Sequence, residues 1–372
     1  MINAIMSKLF EINLLLLTLI YLLGFIGVAM IYAATDGVWS HGAMQHLVRL
    51  ILTGGLLICV ALTDIKVWYS LAYPIYAFAL LLLLGVDLVG VSVNGSQRWL
   101  DLGLFRLQPS ELMKLALVLA LARFYNDLEA QHVSHISGVA GALLLIALPV
   151  QFVLRQPDLG TTLLLASTGI AIVFLAGINR RIIVSALISM IVILPLFIRF
   201  GLKEYQRSRL LTFFDPGRDP TGAGYHITQS KIALGSGGFS GKGFMNGTQR
   251  QSGWVPENRT DFIFTVIGEE FGLLGGILTM SIYAALIALT TWLALQCKNL
   301  FSQLLILGTI TTFTLYIFIN LGMVTGLMPV VGVPLPLISY GGTVILTTMF
   351  GFGLVLSCQL HMKSELPRGG GR

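Results

Sequence analysis

Apolar residues along this chain gather in long unbroken blocks rather than alternating with polar ones. The blocks fall at about residues 12–33, 45–63, 69–89, 109–124, 137–154, 160–177, 181–200, 262–294, 302–326 and 338–360. A helix that crosses a bilayer needs about 20 mostly apolar residues, whereas a barrel strand would show about ten residues of alternation. The pattern predicts an all-α polytopic integral membrane protein with about ten transmembrane helices. Lys8 ahead of the first block imitates a signal peptide. However, Ile12 to Tyr32 is too long for a cleavable segment, lacks a clean small-residue cleavage site and is followed by many similar runs.

Composition sharpens this reading. Of 372 residues, 55% are hydrophobic and 11% charged, against about 25% charged in an average soluble domain. That excludes a soluble enzyme and a nucleic-acid-binding module, even though the net charge is +6. Cys59, Cys297 and Cys358 are odd in number, lie in or beside apolar runs and form no CxxC pair, so neither a disulfide framework nor a metal cluster is expected. Lys and Arg in short loops favour one face, with nine there and four opposite. By the positive-inside bias both termini are expected in the cytoplasm.

Between the seventh and eighth blocks lies a large extracytoplasmic loop, residues 201–260, with eight basic residues, four acids and 11 of the 41 glycines. Apolar residues recur through it (Leu210, Phe213, Phe239, Phe244, Trp254), which favours order against the membrane over a solvated linker. Its glycine-rich stretch Gly235–Gly243 is not an ATP-binding loop. Ser236 and Gly243 stand where that motif needs glycine and a hydroxyl residue, although its N–H groups could meet a phosphate.

Ionisable residues in or near the spans are expensive, at about 2.5–3.5 kcal/mol each at mid-helix, and mark candidate chemistry. Glu111 and Lys114 stand three apart after Pro109-Ser110, a helix start. They read as an internal ion pair or as a pair lining a polar cavity. Asp158, in an outer turn, reads as a helix cap or a cavity residue. Asp261 ends the basic loop where the eighth span begins. It reads as an N-cap or as the general base of an outer-face reaction. Glu269 and Glu270, further into that span, read as a structural network with polar residues of neighbouring helices. The three prolines and repeated glycines of 326–342 mean irregular backbone, tolerated at membrane depth only inside protein or along a cavity.

Seven ordered motifs carry a family resemblance: Gln97-Arg-Trp-Leu-Asp101, Gln108-Pro-Ser-Glu111, Gln156-Pro-Asp-Leu-Gly160, Gly222-Ala-Gly-Tyr-His-Ile227, Gln229-Ser-Lys-Ile232, Thr260-Asp-Phe-Ile-Phe264 and Val333-Pro-Leu-Pro-Leu-Ile-Ser-Tyr-Gly-Gly342. Through nearly its whole length the chain resembles the SEDS (shape, elongation, division, sporulation) family. The Val331-Gly-Val-Pro form is closer to its rod-shape branch than to its division paralogue. Thr343 stands where the family commonly has serine, a mild change. The resemblance implies a single membrane domain over residues 1–372.

It also implies a peptidoglycan glycosyltransferase that polymerises lipid II at the outer face of the bacterial plasma (inner) membrane. Its expected partners are a class B penicillin-binding transpeptidase and the MreB-associated elongation complex, and no nucleic acid is expected. The family's essential aspartate maps onto Asp261 and its cavity residues onto Glu111, Lys114 and Asp158. Arg207 and Arg209, with Lys114, are the leading diphosphate binders, because a guanidinium makes two parallel hydrogen bonds to a phosphate. These cations or a bound divalent cation (Mg or Mn) would stabilise the leaving diphosphate, and the residues leave the metal open. The rival reading is a lipid II flippase. The placement of Asp261 and the basic loop together, without an evident inverted repeat, argues against it. A scaffold that only anchors the transpeptidase would not explain the polar cavity.

Overall fold

The computed structural model describes residues 8–39, 42–93, 96–101, 103, 106–179, 181–182, 184–185, 188–189, 191, 201, 204–215, 219, 222–251, 254, 257–362 and 364–366. Nine of the ten apolar blocks are long helices: α1 Leu14–Ala34, α2 Ala43–Leu62, α3 Ile65–Val89, α4 Pro109–Asp127, α5 Ile136–Arg155, α6 Leu159–Leu175, α10 Ile263–Gln296, α11 Leu300–Thr325 and α12 Gly342–Leu360. The seventh block, 181–200, lies largely outside the described residues. The large loop contributes α7 Glu204–Phe214, α8 Ala223–Ser236 and the single turn α9 Thr248–Gln251.

Local chemistry sets the helix starts. Side chains of Asn13, Asp64, Asp158 and Asn299 accept hydrogen bonds from the first-turn amides of α1, α3, α6 and α11, meeting N–H groups that have no partner within the helix. Pro109, which has no N–H to lose, opens α4.

Buried Met113–Ala122 makes α4 the hub of the bundle, packed against α3, α5, α6, α11 and α12. The outer faces are apolar as well: Leu14, Leu15 and Phe25 on α1, Phe78 and Leu81 on α3, and Ile277 and Leu278 on α10 are exposed. A bundle greasy both inside and out is solvated by lipid rather than water. Among the described residues, α1, α2, α3, α5, α10, α11 and α12 are long and apolar enough to cross a membrane, and α6 is a shorter apolar helix. Lys8 Nζ meets His361 Nε2 at 2.8 Å, and Gln359 donates to the Glu11 carbonyl at 2.8 Å. The start of α1 and the end of α12 therefore share one face. All three cysteines are free thiols.

The all-α architecture carries one small addition. Between α3 and α4 run three short antiparallel strands, β1 Val91–Val93, β2 Ser96–Asp101 and β3 Arg106–Leu107. Val91 pairs with Trp99 and Leu100 with Leu107. Strands this short show too little alternation to register against the apolar blocks around them.

A second departure is inside α10. Gly272 has φ 64° and ψ −158°, a region open essentially to glycine alone, and it divides the helix. The 24 residues Leu273–Gln296 reach about 36 Å at 1.5 Å per residue, enough to span a bilayer. The segment before the break, Ile263–Glu270, is buried throughout. The glycine-rich stretch satisfies both broken ends. Lys242 and Gly243 amides donate to the Glu269 and Glu270 carbonyls (3.1 and 2.9 Å), while Leu273 and Leu274 amides donate to the Gly238 and Phe239 carbonyls (3.0 and 3.1 Å). These backbones touch because side chains are missing: a Cβ on Gly241 would overlap the Glu270 carbonyl, and one on Gly272 the Gly241 amide. Alanine at either position is expected to cost at least about 1–3 kcal/mol in backbone strain alone. A lowered thermal midpoint of the detergent-solubilised variant checks this.

Candidate active site

A cavity of about 580 Å³ opens where α4, α6, α8, α11, the β2 strand and the irregular 326–341 segment meet the turn before α10. Five carboxylates line it: Glu111, Asp158, Asp219, Glu257 and Asp261. Among the described lining residues, Arg98 is the sole Lys or Arg. The described lining is acidic, and none of the large loop's lysines and arginines is part of it.

Asp261 sits half-buried on the turn just before α10. It is not the N-cap, a position held by Phe262, which makes no side-chain cap. Its backbone is tightly held, since the Asn320 amide donates to both the Asp261 and Val333 carbonyls at 2.7 Å. Thr260 and Phe262 amides both donate to the Glu257 carbonyl (3.1 and 3.2 Å). A Cβ built on Gly332 would stand 3.4 Å from Asp261 Oδ2, so glycine there leaves room around the carboxylate.

The irregular segment runs along the cavity at residues 330–332 and is largely buried in protein over 333–339, as its prolines and glycines imply. Tyr283 donates to the Pro336 carbonyl at 2.5 Å and the His46 ring meets the Leu337 carbonyl at 3.0 Å. Ser339 donates to the Thr260 carbonyl at 2.5 Å, and the Tyr340 amide to Arg259 at 2.8 Å. The segment thus braces the Asp261 turn.

Asp158 is both cap and cavity residue. Its carboxylate accepts from the Thr161 amide at 3.0 Å and the Thr161 hydroxyl at 2.9 Å. Arg98 Nη1 stands 3.5 Å from Asp158 Oδ2, and Arg98 Nη2 donates to the Pro157 carbonyl at 2.6 Å. The overlooked strand β2 therefore carries the guanidinium that fixes this turn.

Glu111 and Lys114 form a buried pair, 4% and 2% exposed, with Nζ 2.6 Å from Oε1. Tyr316 of α11 completes it: its hydroxyl donates to Glu111 Oε2 at 2.6 Å and contacts Lys114 Nζ, which also lies over its ring. Glu111 and Tyr316 reach the cavity lining, whereas Lys114 does not. Glu269 and Glu270 lie away from the cavity. The partners shown among the described residues come from the loop: Lys242 Nζ and the Gln249 amide meet Glu269 Oε1 at 2.7 and 2.9 Å, and the Met245 amide meets Glu270 Oε2 at 3.0 Å. Arg207 is exposed on α7 and is not among the described lining residues, and the Arg209 side chain lies outside the described residues. No three His, Cys, Asp or Glu side chains converge as a metal site among the described residues.

Arg98, Asp219, His226, Glu257 and Tyr316 join the site without having been singled out from sequence. Arg98 and His226 stand inside quoted motifs, a signal that was available; the other three are placed by tertiary contacts. Burial holds the His226 imidazole below the usual histidine range, and Glu257 and Asp219 draw it partly back.

A family model described as FTSW_RODA_SPOVE, cell cycle protein, matches residues 8–364. The chain belongs to the FtsW/RodA/SpoVE family. It is 43% identical to the peptidoglycan glycosyltransferase MrdB of Escherichia coli K12 over 311 residues, covering 83% of this chain and 84% of that relative. A probable peptidoglycan glycosyltransferase FtsW of Geobacter metallireducens is 35% identical over 91% of this chain and 92% of its own. In three dimensions the FtsW/RodA/SpoVE fold recurs in Thermus thermophilus rod shape determining protein RodA. That crystal structure has TM-score 0.72 and 28% identity over 95% of this chain and 98% of that one. A chain from a peptidoglycan synthase complex that coordinates polymerization and crosslinking gives TM-score 0.82 and 31% identity over 95% and 99%.

Proposed function

We propose that this chain is a peptidoglycan glycosyltransferase that polymerises lipid II into β-1,4-linked glycan at the outer face of the bacterial inner membrane, with both termini cytoplasmic. A class B penicillin-binding transpeptidase and the MreB-associated elongation complex are its proposed partners. One observation carries the reading: six of the seven family motifs, separated by hundreds of residues, supply side chains to a single cavity.

The 4-hydroxyl of the acceptor's N-acetylglucosamine attacks the anomeric carbon of a second lipid II. The new C–O bond forms as the bond to the diphosphate breaks, and that electron pair leaves with undecaprenyl diphosphate. Asp261 takes the hydroxyl proton. A single displacement turns the α-linked donor into a β-linked product. Arg98 stands within the cavity for the developing negative charge, and Arg207 and Arg209 meet the diphosphate from the loop. Lys114, beneath Glu111, acts on the substrate through that carboxylate.

The test is polymerisation of labelled lipid II by purified protein in detergent, with and without the transpeptidase. A flippase would give no polymer and would instead move lipid II across proteoliposomes. If the loop arginines grip the diphosphate, the Arg207→Lys, Arg209→Lys double variant should polymerise poorly and the double alanine variant worse, because lysine lacks the planar fork. Initial rates at low and high salt separate this from long-range attraction, which fades within about 10 Å at 0.1 M salt.

A further inference from the structure

The proposed chemistry gives no part to the imidazole that lines the cavity. His226, on α8, shares the lining with Asp219, Glu257 and Asp261. Its ring stacks on Phe262, centroids 5.7 Å apart and planes 25° from parallel. Phe262 is 2% exposed and follows Asp261 directly, so the imidazole is tied to the turn that carries the proposed base. The ring's Nδ1 is buried and has no hydrogen-bond partner among the described residues.

We propose that His226 is a substrate-contacting residue, a neutral imidazole that hydrogen-bonds a hydroxyl or acetamido group of the sugar acceptor beside Asp261. The assignment rests on the glycosyltransferase reading. Its physical basis is complementarity with the rest of the lining. Five carboxylates only accept hydrogen bonds when ionised, whereas a sugar presents hydroxyls that both give and take them. A neutral imidazole offers one donor and one acceptor, and a buried polar nitrogen left unpaired is costly until a ligand or water meets it. The remaining titratable lining groups are Arg98, Glu111, Asp158, Tyr316 and Tyr340. Protonating the ring would remove its acceptor, favoured electrostatically by Glu257 and Asp219 and opposed by burial. The working form is thus the one that dominates near neutral pH, and it is lost as pH falls.

Two variants test this in the full-length purified protein with lipid II as the probe. His226→Phe keeps an aromatic ring on Phe262 and removes both nitrogens, while His226→Gln keeps a donor and an acceptor. His226→Phe is expected to lose about tenfold or more in kcat/KM, the scale of one lost hydrogen bond to substrate, with an unchanged thermal midpoint. His226→Gln should recover most of that loss. Its acid limb in kcat/KM against pH should lose the contribution of imidazole protonation, because glutamine does not titrate. Wild-type kcat/KM in His226→Phe, or a loss that glutamine does not rescue and that follows a lowered thermal midpoint, overturns the assignment. Absence of polymer from the wild-type protein would instead overturn the glycosyltransferase reading.

Discussion

Asp261→Asn is expected to cut lipid II polymerisation by about 10²–10⁴-fold, the range that a positioned general base contributes, with folding and membrane insertion intact. Asparagine matches the shape of aspartate and leaves the backbone carbonyl free to keep its bond from Asn320, so the turn before α10 should hold. What is lost is the ability to take a proton. The loss should therefore fall on kcat, with lipid II binding little changed. Asp261→Ala should be equally inactive. Initial rates of glycan formation together with thermal unfolding check this, and near wild-type turnover by Asp261→Asn would remove the base assignment.

Glu111 and Lys114 should behave as one unit. Lys114→Met strands a carboxylate 4% exposed, and Glu111→Met an ammonium 2% exposed. Each change alone is expected to cost about 3–5 kcal/mol, the scale for breaking a buried pair. Replacing both with Met removes the two charges together and should cost well under the sum. Tyr316 would then lose an acceptor at 2.6 Å, so recovery should be incomplete. A double-mutant cycle on stability in detergent measures the coupling, and strictly additive losses would rule it out. Activity should stay lost in the double variant, because Glu111 reaches the cavity lining and methionine has no carboxylate to offer there.

The sequence made the membrane helices legible because each block is long and its composition unambiguous, and the helix start at Pro109 and the Asp158 cap hold in the structure. Glu111 and Asp158 each serve twice, the one as a member of a buried pair and the other as a helix cap while both line the cavity, whereas Lys114 stays outside the lining. The break at Gly272 escaped notice because hydropathy runs on through it, and its cause is a loop more than 25 residues earlier in the chain. Nothing local to Tyr316 marks it out, and only the packing of α11 on α4 brings it to Glu111. Arg98 was legible as an outer-loop charge, yet strand pairing was needed to aim it at Asp158. Residue type and local spacing carried the elements and caps; contacts between distant segments assembled the acidic cavity.

The divided α10 separates anchoring from chemistry. Only the part beyond Gly272 must match the thickness of the hydrocarbon. A lipid-spanning helix that meets a thicker or thinner bilayer adjusts by tilting or sliding. Asp261 is instead suspended from Asn320, the irregular segment and the glycine stretch, all of which belong to the protein. Contacts within the protein, not the length of the span, set the place of the carboxylate, so the height of the proposed reaction centre is gauged from within the fold rather than from the membrane.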